Sequence, residues 1–320
     1  MKDILFIKTS SLGDVIHHMP AVTDARRARP ELHLSWVVEE AFAPLARLHP
    51  GIDEVIPVAS RRWRKSLQSP ATWSEMRRHC AALRAKRYDR IVDTQGLLRS
   101  ALIARIARGE RHGYDRASIR EPLASLFYDV RHTVSRDLHA VERNRRLTAL
   151  SLGYEMEGAP DYGLSRASFT APDEPYVVFL HATAQPRKEW PVANWIALGQ
   201  SLNERGLQVV LPWGTETERL RSEEIAKALP SARVPDRAPL DQVARLIANA
   251  RGVVGVDTGL LHLGAALSVP LIAIFAGSQP KLTGPVGSGP MTVLGTDGAP
   301  PGVDEMRAAV VGMSSPGLSR

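Results

Sequence analysis

The chain has 320 residues, of which 44% are hydrophobic and 23% charged, a composition typical of a globular protein long enough for two domains. Its one cysteine, Cys80, excludes an internal disulfide and favours a reducing compartment, and no apolar run reaches the roughly 18 residues of a membrane span or forms a signal peptide. The net charge of +7 is unevenly placed, because residues 61–150 hold 21 Lys and Arg against 9 Asp and Glu, a balance of +12. This excess predicts a polyanionic partner, with nucleic acid, an anionic membrane and an acidic glycolipid all open, beside the plainer alternative of solvated surface arginines.

Short apolar runs alternate with helical patterns along the first half of the chain, which predicts βαβ units and a parallel sheet. The predicted strands are 4–7, 32–38, 55–58 and 90–94, and the predicted helices are 72–86, 98–108 and 137–152, the last closed by Gly153, with a further helix after the first strand. We expect residues 61–65 to interrupt the pattern and residues 109–120 to form a loop.

The second half shows the same alternation after a proline-containing segment of low apolar content. The predicted strands are 176–180, 207–211, 252–256 and 271–275, the predicted helices are 192–205, 217–228, 240–249 and 259–267, and a Gly/Pro-rich loop (277–302), a short helix (304–311) and a frayed tail follow. We expect a first domain at 1–165, a linker at 166–175 and a second domain at 176–320. The predicted fold class is α/β, with two doubly wound Rossmann-like domains facing each other across a cleft that would bind the ligands.

The first turn of the chain carries three suggestive features within KTSSLGDVIHHMP, residues 8–20. Ser10 and its neighbour are small and can cap a helix start, and Gly13 lets backbone or ligand approach closely. Asp14 places a carboxylate at the carboxyl end of the first strand, where open α/β sheets bind their ligands. From these residues alone, Asp14 is as well explained by a helix cap or first-turn acid as by catalysis.

A second stretch, GVDTGLLHLGAAL, has the form of a strand that feeds the start of a helix. Asp257 and Thr258 can cap that helix, and Gly259 permits a close approach. The free backbone N–H groups of a helix start suit a phosphate, and His262 lies one turn later. The combination predicts a ligand site rather than a plain helix cap.

Two further strand ends carry polar residues suited to a nucleotide. In FLHATAQPRKEWP, Thr183 can donate to a phosphate oxygen and Lys188 supplies a mobile cation, although a solvated surface lysine is the plain alternative. After strand 207–211, Glu216 or Glu218 could accept from ribose hydroxyls, and either could equally be a first-turn acid that complements the helix dipole.

The basic run RRWRK predicts a surface for phosphates or carboxylates. Its cations are Arg61, Arg62, Arg64 and Lys65, and Arg120 stands in another loop. The run could also stack nucleotides around its tryptophan, but no nucleic-acid module accompanies it. The chain lacks G-x-G-x-x-G after either first strand, lacks a P-loop, and has no Cys/His metal spacing, since His17 and His18 are adjacent on a helix and cannot face one metal.

These stretches together resemble the heptosyltransferases of lipopolysaccharide inner-core synthesis, which are glycosyltransferases of family 9 with the GT-B fold. The similarity runs through nearly the whole chain, in KTSSLGDVIHHMPAV, SWVVEE, VIPVASRRWRKS, DTQGLLRSA, REPLASLFY, HAVER, FLHAT, KEWP, LPWG and VDTGLLHL. It is strongest to the heptosyltransferase I group, which adds the first heptose.

The resemblance implies a donor, an acceptor and a reaction. The donor is ADP-L-glycero-β-D-manno-heptose, bound by the C-terminal domain, and the acceptor is the first 3-deoxy-octulosonate (Kdo) of Kdo2-lipid A, bound by the N-terminal domain. The transfer inverts the anomeric centre and needs no obligatory metal or other cofactor. We expect a cytoplasmic monomer held peripherally at the cytoplasmic face of the inner membrane by its anionic surface, with no nucleic-acid partner.

The resemblance also implies roles for single residues. Asp14 matches the general base, and Lys188 with Thr183 matches contacts to the donor diphosphate. The remaining donor-side matches are Glu216, Asp257, Thr258, Gly259 and His262, and the acceptor-side matches are Ser10, Gly13, Arg61, Arg62, Arg64, Lys65 and Arg120.

The chain departs from the family pattern at three places. Ala184 stands where a second Thr is common, Leu261 stands where a small polar residue is expected, and the Gly/Pro/Ser-rich tail replaces a firmer closing helix. Three alternatives remain open: a heptosyltransferase that adds a later core heptose, a non-catalytic polyanion-binding α/β protein, and a nucleotide-dependent oxidoreductase, which the missing glycine fingerprint disfavours.

Overall fold

The computed structural model describes residues 2–166, 169, 175–183, 185–277 and 281–314. The chain divides into two compact units, Met1–Leu164 and Ser165–Arg320. The division lies beside the predicted linker, 166–175, most of which falls outside the described residues. In the part of the chain that the structure describes, no helix is long and apolar enough to cross a membrane.

The first unit is built on one parallel sheet. Its described strands are β1 (Asp3–Ile7), β2 (His33–Glu39), β3 (Glu54–Val58), β4 (Arg87–Asp93), β5 (Arg108–Tyr114) and β6 (Val130–His132). Its helices are α1 (Leu12–Ala28), α2 (Ala43–Ala46), α3 (Ser60–Lys65), α4 (Pro70–Ala85), α5 (Leu98–Ile106) and α6 (Ala140–Leu152), with short 3-10 helices at Glu40–Phe42 and Pro122–Phe127. The strand order is β3-β2-β1-β4-β5-β6.

The second unit is built in the same way. Its described strands are β7 (Tyr176–Leu180), β8 (Gln208–Val210), β9 (Ala232–Arg233), β10 (Gly252–Val256), β11 (Leu271–Ile274) and β12 (Met291–Leu294). Its helices are α7 (Val192–Asn203), α8 (Glu216–Lys227), α9 (Leu240–Ala248), α10 (Gly259–Ala266) and α11 (Val303–Ser314), with a 3-10 helix at Pro186–Lys188. The sheet order is β12-β11-β10-β7-β8-β9, and all these strand pairs are parallel.

The two sheets have equivalent strand orders, since each unit follows the doubly wound order 3-2-1-4-5-6 when its own strands are counted from one. The order reverses between β1 and β4 in the first unit and between β7 and β10 in the second. Ligands of such sheets bind beyond the carboxyl ends of the strands at this reversal. The fold therefore singles out one loop cluster in each unit.

Buried apolar side chains hold each sheet to its helices. In the first unit Leu5, Ile7 and Ile91 form a core cluster, and β1 reads as a continuous apolar run because helices cover both of its faces. In the second unit the rings of Phe179 and Trp190 lie 4.9 Å and 5.2 Å from the ring of Trp195. Such aromatic pairs add roughly 0.5–1.5 kcal/mol each to the free energy of area burial.

The predicted alternation of strands and helices is confirmed, with three corrections. The loop expected at 109–120 begins with β5, whose charged sequence RGERHGY gives no apolar signal. Gly113 of this strand allows the ring of Tyr128 to pack against the backbone, since a methyl group at Gly113 would lie 2.3 Å from Cε2 of Tyr128. The loop expected at 277–302 contains the half-exposed edge strand β12, and residues 61–65 continue as helix α3 instead of interrupting the pattern.

Candidate functional site

The loops after β1 and β4 are joined at the reversal point of the first sheet. The side-chain oxygen Oε1 of Gln95 accepts from the backbone N–H of Thr9 at 3.0 Å and of Ser10 at 3.1 Å. Ser10 is also bound through its hydroxyl, which accepts from Nη2 of Arg99 at 2.8 Å. The predicted acceptor residue Ser10 therefore lies in a loop fixed by two neighbouring segments, and Arg99 joins it without having been predicted.

Asp14 combines a structural contact with a free oxygen. Its Oδ2 accepts from the backbone N–H of Ser11 at 2.7 Å and from the Ser11 hydroxyl at 3.0 Å, so it closes the first turn of α1 as a capping acid. Among the described residues nothing donates to its Oδ1, and the side chain is half-buried. Gly13, one residue earlier, is buried in the same turn. The helix-cap reading is correct, and it leaves one carboxylate oxygen available.

A buried lysine, Lys8, follows β1 in the same loop and was not predicted as a site residue. Its Nζ donates to the backbone oxygen of Thr94 at 2.9 Å and to Oδ1 of Asn144 at 3.3 Å. Burial lowers the pKa of Lys8, while the nearby carboxylates of Asp14 and Asp93 oppose that shift. The sequence signal was a lysine directly after a fully buried strand.

Asp93 is the buried acid at the end of β4. Its Oδ1 accepts from the backbone N–H groups of Gln95 and Gly96, and its Oδ2 accepts from the hydroxyl of Tyr128 at 2.7 Å. Burial raises the pKa of Asp93, and these hydrogen bonds act in the opposite direction. Asp93 therefore orders the turn that holds Ser10, and it is closed off from solvent.

Two arginines act on the same cluster. Arg143 places its guanidinium 4.7 Å from the ring centre of Tyr114, and Arg120 is exposed, with no ion pair among the described residues. Arg120 precedes Glu121, whose backbone N–H donates to the backbone oxygen of Gly96 at 3.4 Å, in the turn that Asp93 holds. The structure therefore brings the predicted Arg120 to this cluster.

The predicted cations at 61–65 lie on α3, which follows β3, and the strand order separates β3 from β1 by β2. Arg62 is fully engaged, since it contacts Glu40 at 3.0 Å and Glu75 at 2.7 Å and thereby lowers the pKa of Glu75 to about 2. Its charge is offset by two carboxylates, which weakens its assignment as a ligand-binding cation. Trp63 is buried in the core, so it cannot stack nucleotides as the sequence suggested.

The other members of this run remain accessible. Arg61 places its guanidinium 5.1 Å from the ring centre of Phe42. Arg64 and Lys65 are exposed and make no ion pair with any described residue. The basic surface expected here therefore reduces to three cations.

The second unit gathers most of its predicted residues at the reversal between β7 and β10. Nζ of Lys188 lies 2.6 Å from Oδ2 of Asp257, and both side chains are largely buried. The hydroxyl of Thr183 donates to the backbone oxygen of Asp257 at 3.3 Å, and Nε2 of His262 lies 4.0 Å from Oδ1 of that residue. A cation, an acid, a hydroxyl and an imidazole from three segments thus form one cluster around Asp257.

The start of α10 adjoins this cluster. Thr258 is the N-cap residue and Gly259 is the first residue of the helix, as the sequence predicted. The side chain of Thr258 makes no capping hydrogen bond, and the backbone N–H groups of a helix start lie at the positive end of the helix dipole. Together with Lys188, this arrangement suits a bound phosphate group.

Glu216 occupies a different environment. It is the first residue of α8 and pairs with Arg219 at 2.5 Å, a contact that lowers its pKa. Glu218 closes the helix cap, since its Oε2 accepts from the backbone N–H of Gly214 at 2.7 Å. Both are first-turn acids, the alternative that the sequence left open, and Glu216 makes no recorded contact with the described residues around Asp257.

Of the three departures from the family pattern, the structure accounts for Leu261. Leu261 is fully buried, and a methyl group at Gly255 would lie 3.0 Å from its Cδ1, so Leu261 belongs to the packing beneath β10. Ala184 lies outside the described residues. The closing helix α11 packs on α7 of its own unit, and the tail beyond 314 is likewise outside the described residues.

One buried histidine at this strand end was not predicted. His181 follows β7, and its Nε2 lies 2.7 Å from the hydroxyl of Ser222. Burial, with the nearby charge of Arg221, lowers the pKa of His181 to about 4, so its imidazole is neutral at pH 7. The described residues contain no cluster of three His, Cys, Asp or Glu side chains with the spacing of a metal site.

Known proteins share both the sequence and the fold. The family model for glycosyltransferase family 9 (heptosyltransferase) matches residues 76–308. The lipopolysaccharide heptosyltransferase 1 of Salmonella typhimurium is 44% identical over 293 residues, covering 90% of this chain and 92% of that protein. The enzyme of the same name from Pseudomonas aeruginosa is 47% identical over 288 residues, covering 89% of this chain and 81% of that protein.

Solved structures agree with this assignment. The E. coli heptosyltransferase WaaC with ADP superposes with a TM-score of 0.90 at 40% identity, covering 98% of this chain and 100% of that chain. The same enzyme with ADP-2-deoxy-2-fluoro heptose gives a TM-score of 0.85 at 41% identity, over 97% and 98% of the two chains. These matches confirm the predicted GT-B fold, and the chain belongs to glycosyltransferase family 9, the heptosyltransferases.

Proposed function

We propose that this glycosyltransferase moves L-glycero-D-manno-heptose from ADP-heptose to the first Kdo of Kdo2-lipid A, with inversion and with Asp14 as general base. One observation supports the proposal: Asp14 follows the strand at the reversal of strand order in the first unit, and a phosphate-suited cluster around Asp257 lies at the reversal in the second. The relatives named lipopolysaccharide heptosyltransferase 1, and WaaC solved with ADP and with an ADP-heptose analogue, support the choice of donor and reaction.

The proposed chemistry is a single displacement. The acceptor hydroxyl oxygen attacks the anomeric carbon of the heptose, the bond from that carbon to the diphosphate oxygen breaks, and ADP leaves with the bonding electrons. The hydroxyl proton passes to the carboxylate of Asp14, whose Oδ1 accepts no hydrogen bond from described residues. Attack from the face opposite the leaving group inverts the anomeric centre.

On the donor side, Lys188 and the start of α10 stabilise the negative charge that grows on the leaving diphosphate. Asp257 holds the lysine in place through the 2.6 Å contact, and Thr183 adds a hydroxyl at the same point. The proposed contact of Glu216 with the ribose rests on the family resemblance alone, since in the structure its carboxylate is paired with Arg219.

On the acceptor side, exposed cations match the carboxylate of Kdo and the phosphates of lipid A. Arg120 lies next to Glu121, which contacts the turn held by Asp93, and Arg61, Arg64 and Lys65 present further positive charge from α3. We assign Arg62 to holding α3 against its two carboxylate partners. Within this proposal the enzyme works as a monomer without an obligatory metal, in the cytoplasm at the inner membrane surface.

The base assignment has a discriminating test in Asp14→Asn. The amide oxygen can still accept from Ser11 N–H, so the helix cap survives, but the side chain can no longer take a proton. We expect kcat to fall roughly 10²–10⁴-fold while the thermal unfolding midpoint stays within about a degree of wild type. Ser11→Ala is the matched control, since it removes the hydroxyl contact and leaves the base.

The measurement is release of ADP from ADP-heptose with Kdo2-lipid A as acceptor. Retained turnover in Asp14→Asn would exclude the base role. An acceptor that already carries the first heptose distinguishes the alternative of a later addition, because only that alternative predicts turnover with it. Absence of turnover with either acceptor would favour the polyanion-binding alternative.

A further inference from the structure

Four exposed leucines form a patch on the first unit. Leu98 and Leu102 are 37% and 51% exposed and stand four residues apart on one face of α5. Leu123 and Leu126 are 62% and 67% exposed on the 3-10 helix that packs against α5. We call these four residues the leucine patch. Exposed apolar groups that cluster in this way mark an interaction surface more often than scattered ones do.

Positive charge continues from the leucine patch along the same helix. Arg105 follows Leu102 by three residues on the same exposed face of α5. It lines a groove of about 500 Å³ together with Arg84, Arg108 and Arg111. Arg111 is paired with Asp129, whereas the other three arginines make no ion pair with a described residue. We call these four residues the arginine groove.

Acidic side chains near this surface are already engaged. Oε2 of Glu121 accepts from the backbone N–H of Leu98 at 2.7 Å and so completes the start of α5. Glu110 lies 2.9 Å from Nε2 of His112. These contacts leave both carboxylates charged, but the four arginines of the groove outnumber them and Asp129, in keeping with the balance of +12 over residues 61–150.

We propose that the leucine patch and the arginine groove together dock this unit on an anionic phospholipid bilayer. Leucine side chains enter the boundary between headgroups and acyl chains, and arginines bind the lipid phosphates. A bilayer suits this surface because three of the four groove arginines make no ion pair with a described residue and can bind lipid phosphates beside the apolar patch. This inference rests on the proposed function, since it assigns the surface that meets the lipid-anchored acceptor.

The position of the patch agrees with that role. Arg99, which follows Leu98 at the start of α5, donates to the hydroxyl of Ser10 in the loop that carries Asp14. A helix of this length spans only about 14 Å, so the whole patch lies close to that loop. An acceptor anchored in the same bilayer would present its sugars at the level of Asp14.

The test measures co-sedimentation of the full chain with vesicles of phosphatidylcholine and phosphatidylglycerol at three to one. We expect Leu102→Ser/Leu126→Ser to weaken binding at least about tenfold, because each leucine loses apolar burial. Leu150→Ser/Leu220→Ser is the matched control, since those leucines are 52% and 55% exposed elsewhere; its binding should equal that of wild type.

The charged component is tested by Arg105→Gln/Arg108→Gln. Each arginine contributes about 1 kcal/mol near an anionic surface, so we expect binding to fall roughly 20–30-fold on anionic vesicles and hardly at all on pure phosphatidylcholine. The proposal would be overturned if the wild-type protein did not bind the vesicles, or if neither pair of substitutions weakened its binding. Self-association seen by sedimentation velocity and abolished by the leucine variant, without vesicle binding, would assign the patch to a second copy and overturn it as well.

An activity measurement separates this inference from the proposed function. With a water-soluble acceptor that lacks acyl chains, the leucine variant should turn over at the wild-type rate, whereas with Kdo2-lipid A in vesicles its apparent KM should rise. Equal KM values in vesicles would contradict the docking role. Absent turnover of wild type on both the soluble acceptor and Kdo2-lipid A would instead contradict the proposed function and leave the vesicle-binding result to stand by itself.

Discussion

Lys188→Ala tests the donor side of the reaction. In the structure its Nζ is 2.6 Å from Oδ2 of Asp257, and the two side chains are 17% and 12% exposed. A unit charge at that distance interacts by about 6 kcal/mol at an effective dielectric constant near 20. A diphosphate oxygen at a similar distance that gains roughly half a charge in the transition state would lose about 3 kcal/mol on removal of the lysine.

We therefore expect kcat/KM for ADP-heptose to fall roughly 200-fold in Lys188→Ala, within the range known for loss of one charge-stabilising donor. Steady-state release of ADP at varied donor concentration measures it. Lys188→Arg should retain activity within about tenfold, because it keeps the cation. Lys227→Ala, an exposed lysine at the far end of α8, is the control for loss of charge alone.

The lysine substitution also leaves Asp257 without its cation, so a drop in activity could reflect a disordered loop. The thermal unfolding midpoint of Lys188→Ala answers this, and so does Asp257→Asn, which keeps the lysine and removes its partner. If Lys188→Ala stays folded and its donor kinetics fall within threefold of wild type, the charge-stabilisation argument fails.

Three further predictions concern stability. Arg145→Ala breaks an ion pair that is almost fully buried and should lower the free energy of unfolding by about 3–5 kcal/mol in a denaturant titration, whereas the exposed Arg146→Ala should change it by less than about 0.5 kcal/mol. The pKa of His181 is about 4 in the folded chain and near 6.5 when unfolded, so its neutral form stabilises the fold above pH 6.5 and that contribution is lost as the pH falls toward 4. His181→Gln should therefore flatten the curve of unfolding midpoint against pH between these values. An unchanged curve would refute the assignment. Gly113→Ala should lower the unfolding midpoint because a methyl group meets an aromatic ring at 2.3 Å, while Gly302→Ala, which meets nothing, should not.

Much of the fold follows from local pattern. The strands with continuous apolar runs, such as β1, β7 and β10, are fully buried and were predicted within a residue or two. The edge and near-edge strands β5, β6, β9 and β12 were missed because tertiary packing, not apolar content, holds them in the sheet. Charged and glycine-rich segments give no period-two signal that could reveal such strands.

The candidate site residues could be predicted from their positions near strand ends, whereas the buried residues that contact them could not. Asp257 was found because it directly follows β10, and Asp14 and Lys188 because they lie in the segments that follow β1 and β7. Lys8 directly follows β1 but was not found, because the sequence does not show that distant segments supply Thr94 and Asn144 as its partners. Arg62 was predicted to bind ligand, but its guanidinium is paired with two acids. These acids lie at positions 40 and 75, and only the folded chain brings them to Arg62.

The equal strand order of the two sheets has a consequence for how such an enzyme changes over time. Backbone topology fixes where each ligand is held, so the chemistry of each half resides in a few residues that follow strands. Loops after β1 and β4 can be replaced without altering the loops after β7 and β10. A new acceptor can therefore be acquired while the activated sugar is retained, and two specificities evolve independently within one polypeptide.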